Sequence, residues 1–255
     1  MGRMGDAVSE LHKLDMEAVK CGWLQRMHPL PKLLVTIFFL VLTVSFGKYD
    51  LQGLIKMGIY LIVLFVLGDI SVKRLFKRMK AVLALVCLMG AANPFFDRET
   101  AALLGPVVIT GGMVSAAVLI VKGIFAVSAA YLLIAVTPVS DVCYALRRLH
   151  VPKIFVTVIM LIYRYVIVLL KEAERMTDAY MLRAPEQNGI EYRVWGTFAG
   201  QLLLRSMDRA QTVYDSMMLR GYDGEFYLRE KRPAGCTDYL YLLLWSMVLA
   251  AIRIM

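Results

Sequence analysis

The stretch VVITGGMVSAAVLIVKGIFAVSAAYLLIAV, residues 107–136, contains a single charged side chain, that of Lys122. A helix needs about 20 mostly apolar residues to cross the hydrocarbon core of a bilayer, so this stretch predicts a membrane span. An ionisable residue inside a span ordinarily indicates a functional site, which makes Lys122 a residue that needs an explanation.

Four further apolar runs lie along the chain, at residues 30–46, 54–68, 81–92 and 239–252. The hydrophobic fraction is 59% and the charged fraction 19%, against roughly 45–50% and 25% in soluble domains. These features predict an all-α polytopic membrane protein with about five transmembrane helices. The run at 81–92 is too short to cross alone, so it either includes neighbours such as residues 93–96 or does not fully cross, and five versus six spans stays open.

Loops that are rich in Lys and Arg alternate along the chain with loops that contain few of them. The N-terminal segment and the loop at residues 73–80 are rich in Lys and Arg, whereas the loops after the first and third runs hold Lys48 and Arg98 alone. Because cytoplasmic loops carry the excess of basic residues, we expect a multi-pass protein of the cell inner (cytoplasmic) membrane with a cytoplasmic N-terminus. The net charge of +9 is accounted for by this rule and by anionic lipids, without a nucleic acid.

The predicted organisation has four segments. Residues 1–29 form a cytoplasmic N-terminal segment, residues 30–136 a transmembrane block, residues 137–235 a cytoplasmic block, and residues 236–255 a C-terminal transmembrane helix. The cytoplasmic block lacks the Gly-rich turns and alternating strands of an α/β domain. Its apolar residues recur at helical spacing, which predicts two long amphipathic helices, from about 153 to 183 and from about 193 or 195 to 220.

A matched segment ends both helices: DAYMLRA at residues 178–184 and DSMMLRG at residues 215–221. The candidate site residues are the last three of each segment: Leu182, Arg183, Ala184, Leu219, Arg220 and Gly221. A single arginine in a last turn ordinarily interacts with the helix dipole, for roughly 0.3–1 kcal/mol. Two arginines in matched segments favour a second interpretation, in which both guanidiniums are presented to carboxylates or carbonyls of a partner.

Signatures of catalysis and of metal binding are missing from the sequence. It contains no G-x-x-x-x-G-K-[ST] loop, its three histidines are isolated, and its four cysteines have no metal-ligand spacing. We therefore expect a chain that is not an enzyme and that binds no metal and no cofactor of its own.

Three stretches give the chain a resemblance to the transmembrane T component of energy-coupling-factor (ECF) importers, most closely to the CbiQ-type cobalt branch. They are HPLPKLL at residues 28–34, YRYVIVLLKEAERM at 163–176 and RSMDRAQTVYDSMMLRGYDG at 205–224. The resemblance covers most of the chain. The second helix ending matches the family's usual Ala-Arg-Gly at Arg220 and Gly221, whereas the first departs from it, with Ala184 and Pro185 where glycine is common.

The resemblance implies a function that the chain performs only within a complex. Its two arginine motifs would dock into grooves of two ATP-binding cassette ATPase subunits, which use the ATP. The chain would transmit their motion to a separate substrate-binding membrane S component, CbiM-like, with or without a small CbiN-like subunit. The implied substrate is cobalt or nickel ion.

Two other functions stay open at the level of sequence. The chain could be the permease subunit of another ABC-type transporter that lines the substrate path itself, for a vitamin or another metal, with Lys122 as its polar candidate. It could also be a membrane enzyme with a cytoplasmic surface site. That function would need an acidic cluster, and the acidic residues are dispersed along helices.

Overall fold

A computed structural model gives the structure of the chain. It describes residues 27–47, 50–68, 75, 82, 84–90, 100–104, 107–184, 190–224, 226 and 235–254. The predicted N-terminal segment and the basic loop at residues 73–80 therefore lie almost entirely outside the described residues.

Helices make up most of the described chain. In chain order they are α1 (Pro29–Ser45), α2 (Leu51–Gly68), α3 (Gly111–Val136), α4 (Val139–Arg148), α5 (Lys153–Arg183), α6 (Trp195–Leu219) and α7 (Cys236–Ile254). Residues 84–90 are also helical, and a 3-10 turn at Tyr192–Val194 precedes α6. The helices fall into two compact units, one with α1, α2, α3 and α7, and the other with α4, α5 and α6.

The first unit is built on an aromatic and aliphatic core. Tyr60 of α2 contacts the rings of both Phe39 of α1 and Trp245 of α7, the latter edge to face, with centroid distances of 4.8 Å for both pairs. Leu132 of α3 joins the same core. Aromatic rings at such distances contribute more than their buried area alone, so three helices that are distant in sequence are held around Tyr60.

The apolar helices have the length and composition of membrane spans. By these two criteria α2, α3, α5 and α7 can cross a bilayer, with 18-residue windows of mean hydropathy between 1.3 and 2.3, and α1 is a shorter apolar helix. Large apolar side chains point away from the core, such as Val66, which is 76% exposed. The chain is a polytopic all-α membrane protein, as the sequence predicts.

Helix α5 qualifies as a span by length and composition, although the sequence analysis assigns it to the cytoplasmic block. Its most apolar window has a mean hydropathy of 2.2. After the exposed Lys153, its first turn exposes apolar side chains, among them Ile154 and Phe155. Lys171 and Arg175 are exposed further along. The helix therefore changes from apolar to charged along its length, and its cytoplasmic placement stays a prediction.

Part of the short apolar run at residues 81–92 packs on α3. A Cβ added to Gly90 would lie 3.2 Å from Ile120, and one added to Gly123 would lie 2.8 Å from Val86. The two glycines thus permit a close approach of the two helices. The other residues of the run lie outside those described.

A short hairpin differs from the sequence prediction of a loop followed by one continuous apolar span. Strand β1 (Thr100–Leu104) pairs with antiparallel strand β2 (Val107–Thr110), with Leu104 opposite Val107. The β-branched run of Val107, Val108, Ile109 and Thr110 favours an extended strand. The two glycines at 111 and 112 follow it, and α3 begins there rather than at residue 107.

In the second unit, α4 ends in a tight turn that leads to α5. His150 has φ 61°, and the N–H of Val151 donates to the carbonyl oxygen of Leu146 at 3.2 Å. This pattern is a Schellman motif with a non-glycine residue in the left-handed position. Pro152 follows as the N-cap of α5, so this turn separates the short helix α4 from the long helix α5, which begins at residue 153 as the sequence predicts.

Candidate functional site

The first candidate segment, residues 182–184, ends α5 and is called here the first tip. Leu182 is 85% exposed and Arg183 is also exposed, while Ala184 is half-buried. The N–H of Ala184 donates to the carbonyl oxygen of Tyr180 at 3.0 Å, and Ala184 itself has φ −132°. The helix thus stops without a left-handed residue.

The second candidate segment, residues 219–221, ends α6 and is called the second tip. Gly221 has φ 78°, and its N–H donates to the carbonyl oxygen of Met218 at 3.0 Å. The N–H of Tyr222 donates to the carbonyl oxygen of Met217, also at 3.0 Å. These two bonds complete a Schellman motif with glycine at the left-handed position, which fixes the second tip more rigidly than the first.

The two tips present the same chemistry to their surroundings. Leu219 is 90% exposed, close to the 85% of Leu182. Within the part of the chain that the structure describes, no hydrogen bond or ion pair engages the guanidinium of Arg183 or Arg220. Because an exposed leucine gains nothing from water and a free guanidinium offers five N–H donors, each tip combines an apolar anchor with an unused hydrogen-bonding group.

A cleft of roughly 620 Å³ lies between the second half of α5 and the first half of α6. Its polar lining includes Arg175, Arg183 and Arg205 against one carboxylate, Glu172. Glu172 forms ion pairs with Arg205 of α6 and, at 3.8 Å, with Arg175 one turn along α5. The cleft is therefore cationic, and it opens beside the first tip through Arg183.

The ion pair between Glu172 and Arg205 was not predicted from the sequence. The two residues are 33 positions apart, and each has charged neighbours that could serve equally well as partners. Only the packing of α5 on α6 selects this pair. It connects the two helices that carry the tips.

Lys122 is hydrogen-bonded to the end of another helix of the first unit. Its ammonium donates hydrogen bonds to backbone carbonyl oxygens at the C-terminal end of α1. A lysine used in this way satisfies helix carbonyls, which are costly to leave unpaired in a bilayer. The side chain that interrupts the longest apolar run thus has a structural partner in the first unit.

Among the residues that the structure describes, no group of three or more His, Cys, Asp or Glu side chains could hold a metal ion. The described buried carboxylate of Asp238 accepts backbone hydrogen bonds from the N–H groups of His28, at 3.2 Å, and Gly235, at 2.9 Å.

Comparisons with known proteins agree on one family. The family model of CbiQ, described as cobalt transport protein, matches residues 21–231. CbiQ of Rhodobacter capsulatus is 32% identical over 109 residues, which are 42% of this chain and 45% of that protein. The nickel permease LarQ of Lactiplantibacillus plantarum is 28% identical over 106 residues, which are 42% of this chain and 39% of that protein.

A third relative is described as a fused protein. It is a putative fused cobalt transport protein, CbiMQ, of Methanocorpusculum labreanum, 26% identical over 125 residues, which are 49% of this chain and 21% of that protein. This chain thus spans less than half the length of each of these three relatives. Because the family model covers most of the chain, the chain belongs to the CbiQ family of cobalt transport proteins.

Proposed function

We propose that this chain is the transmembrane coupling (T) subunit of an ECF-type ABC importer for cobalt or nickel ion. In this function the two tips dock on two ATP-binding cassette ATPase subunits. Their ATP-driven motion passes through α5 and α6 to a separate substrate-binding membrane subunit. The chain itself is non-catalytic, binds no cofactor, and lies in the cell inner membrane with a cytoplasmic N-terminus.

The observation that carries the proposal is the pair of tips. Two helices of one compact unit each end in an exposed leucine followed by an arginine with no partner among the described residues. A guanidinium suits paired hydrogen bonds to carboxylates, and exposed apolar residues beside it suit a protein groove. One such ending has an ordinary explanation as a helix terminus, whereas two matched endings favour two equivalent partners.

The membrane partner is supported by a different observation. The CbiMQ relative carries a CbiM name and a CbiQ name in one chain, and proteins that are fused in one organism are often partners in another. We therefore propose a CbiM-like S component, with or without a small CbiN-like subunit, as the partner within the bilayer. The exposed apolar side chains at the start of α5 offer a surface for packing in an apolar environment.

The alternative, a permease that lines the substrate path itself, is less well supported. Its polar candidate, Lys122, is engaged with the end of α1. A small cavity in the first unit is lined by the cationic Lys32, and a cation repels a divalent metal ion. Neither lysine thus favours a metal ion at its own position.

The double variant Arg183→Ala and Arg220→Ala tests the coupling function. We expect it to be inserted normally but to lose co-purification with ATPase subunits, or to uncouple ATP hydrolysis from metal uptake. Arg209→Ala is the matched control, since Arg209 is an exposed arginine of α6 outside both tips. Normal complex formation and normal transport in the double variant would refute the coupling function.

Titration calorimetry of the purified chain with Co²⁺ and Ni²⁺ separates the coupling subunit from a substrate-binding one. We expect no binding to the chain alone and metal-dependent uptake only in the assembled complex. Stoichiometric binding to the isolated chain would favour the alternative.

A further inference from the structure

A small cavity lies among the four helices of the first unit, and five of the side chains that line it are polar. Lys32 and Thr36 belong to α1, Tyr60 to α2 and Tyr241 to α7, and Thr137 follows the last residue of α3. The free volume is about 20 Å³. Since one water molecule needs at least roughly 10–15 Å³ of such space, the cavity has room for one.

The polar lining is deeply buried. Lys32 is 4% exposed, and Tyr60 and Thr137 are 1% exposed. The hydroxyl of Thr36 donates to the carbonyl oxygen of Lys32 at 2.8 Å, and Tyr60 has side-chain hydrogen bonds with Thr36 and Tyr241. Among the described residues, the hydroxyl of Thr137 has no hydrogen-bond partner, although buried hydroxyls ordinarily have one.

We propose that this cavity is a binding site for one ordered water molecule. The water would accept a hydrogen bond from the ammonium of Lys32 and bond to the hydroxyl of Thr137, with a tyrosine hydroxyl as a third partner. Buried waters typically make about three hydrogen bonds to such groups. Because an ammonium has three N–H donors, Lys32 can serve the water in addition to its other contacts.

The sequence places Lys32 at this site through the motif HPLPKLL. Pro29 and Pro31 begin α1, and Nδ1 of His28 accepts a hydrogen bond from the N–H of Leu30 at 3.3 Å. The N-terminus of α1 is therefore fixed, and Lys32 lies in its first turn. The bound water would thus link the start of α1 to Thr137, immediately after α3.

Radiolytic hydroxyl labelling of the full chain in lipid nanodiscs tests the site, because radicals generated from a bound water modify the side chains around it. We expect Tyr241 to be modified several-fold faster than Trp245, relative to the reactivity of each free amino acid. Trp245 is the matched control: both are 8% exposed, but only Tyr241 lines the cavity. Equal normalised rates for the two residues would mean a dry cavity and would overturn the proposal.

Two variants of Thr137 provide a second measurement. Thr137→Val keeps the side-chain shape but removes the hydroxyl, so we expect several-fold slower labelling of Tyr241, whereas Thr137→Ser retains the hydroxyl and the labelling. Unchanged labelling in a folded Thr137→Val variant would contradict the proposed coordination. If that variant does not fold, the comparison of Tyr241 with Trp245 in the unmodified chain decides alone.

Discussion

The ammonium of Lys122 donates hydrogen bonds to the carbonyl oxygen of Phe46, at 2.6 Å, and to that of Val44, at 3.1 Å. Arg253 of α7 donates to the carbonyl oxygen of Ser45 between them, at 3.2 Å, and its guanidinium lies 4.7 Å from the ring centroid of Phe46. The last carbonyls of a helix have no partner within it and carry the negative end of its dipole. Two cations from α3 and α7 thus complete the end of α1.

Replacing Lys122 by Met tests this assignment. We expect the variant to lower the thermal stability of the detergent-purified chain, because carbonyl oxygens at the end of α1 lose their donor. A hydrogen bond contributes about 0.5–1.5 kcal/mol to stability, and the midpoint of thermal unfolding followed by tryptophan fluorescence would detect the loss of the two that Lys122 donates.

Lys122→Arg is the matched control, since it keeps a cation with several donors, and we expect it to retain most of the stability. A Lys122→Met variant with unchanged stability but lost metal uptake would contradict the structural assignment. That result would instead support a substrate path through the chain.

The parts of the structure that follow from local sequence were predicted well. The bounds of α5 follow from Pro152 before it and Pro185 after it, and the end of α6 follows from Gly221, because proline and glycine act on the backbone at their own positions. The partners of Lys122 and of Glu172 were not predicted. Both depend on which helices pack together, and helical periodicity carries no information on that choice.

The hairpin illustrates the same limit at shorter range. Hydropathy alone does not distinguish Val107, Val108 and Ile109 from the apolar helix that follows them, and only their β-branched side chains indicate a strand. The tips were identified because the segment repeats. The cationic cleft beside the first tip could not be predicted, because it depends on how α5 packs on α6.

Gly221 should be sensitive to side-chain shape although it has room around it. A Cβ added there would meet no heavy atom of the described residues within 4 Å, but its φ of 78° costs a residue with a Cβ roughly 1–2 kcal/mol. We expect Gly221→Val to loosen the last turn of α6, with faster amide hydrogen exchange at Leu219 and Arg220 and weaker co-purification of ATPase subunits.

Gly221→Asn should behave nearly as the unmodified chain, because asparagine tolerates this conformation. Equal effects of Val and Asn would contradict the conformational explanation.

Cys143 of α4 should react slowly with thiol reagents. Its side chain is fully buried, and burial raises the pKa of the thiol because the thiolate is disfavoured away from water. We expect single-cysteine variants to show much slower maleimide labelling at Cys143 than at the exposed Cys236 near neutral pH. The labelling of Cys143 should increase as pH rises, since a raised pKa moves thiolate formation to higher pH. Equal rates at the two positions would mean that α4 does not pack as described.

The leucines of the two tips should contribute to partner binding independently of the arginines. Leu182 and Leu219 are almost fully exposed, so Leu→Ala at either position removes little that stabilises the chain itself. Burial of a leucine side chain in a partner's groove is worth about 1.5–3 kcal/mol, and each 1.4 kcal/mol corresponds to tenfold in affinity. We therefore expect each substitution to weaken ATPase binding by roughly ten- to hundredfold, measured by biolayer interferometry on chain held in nanodiscs. Leu203→Ala is the matched control, because Leu203 is 60% exposed on the same helix as Leu219 but lies outside the tip. Loss of affinity in the Leu203 variant equal to that in the tip variants would indicate a diffuse apolar surface rather than two anchored tips.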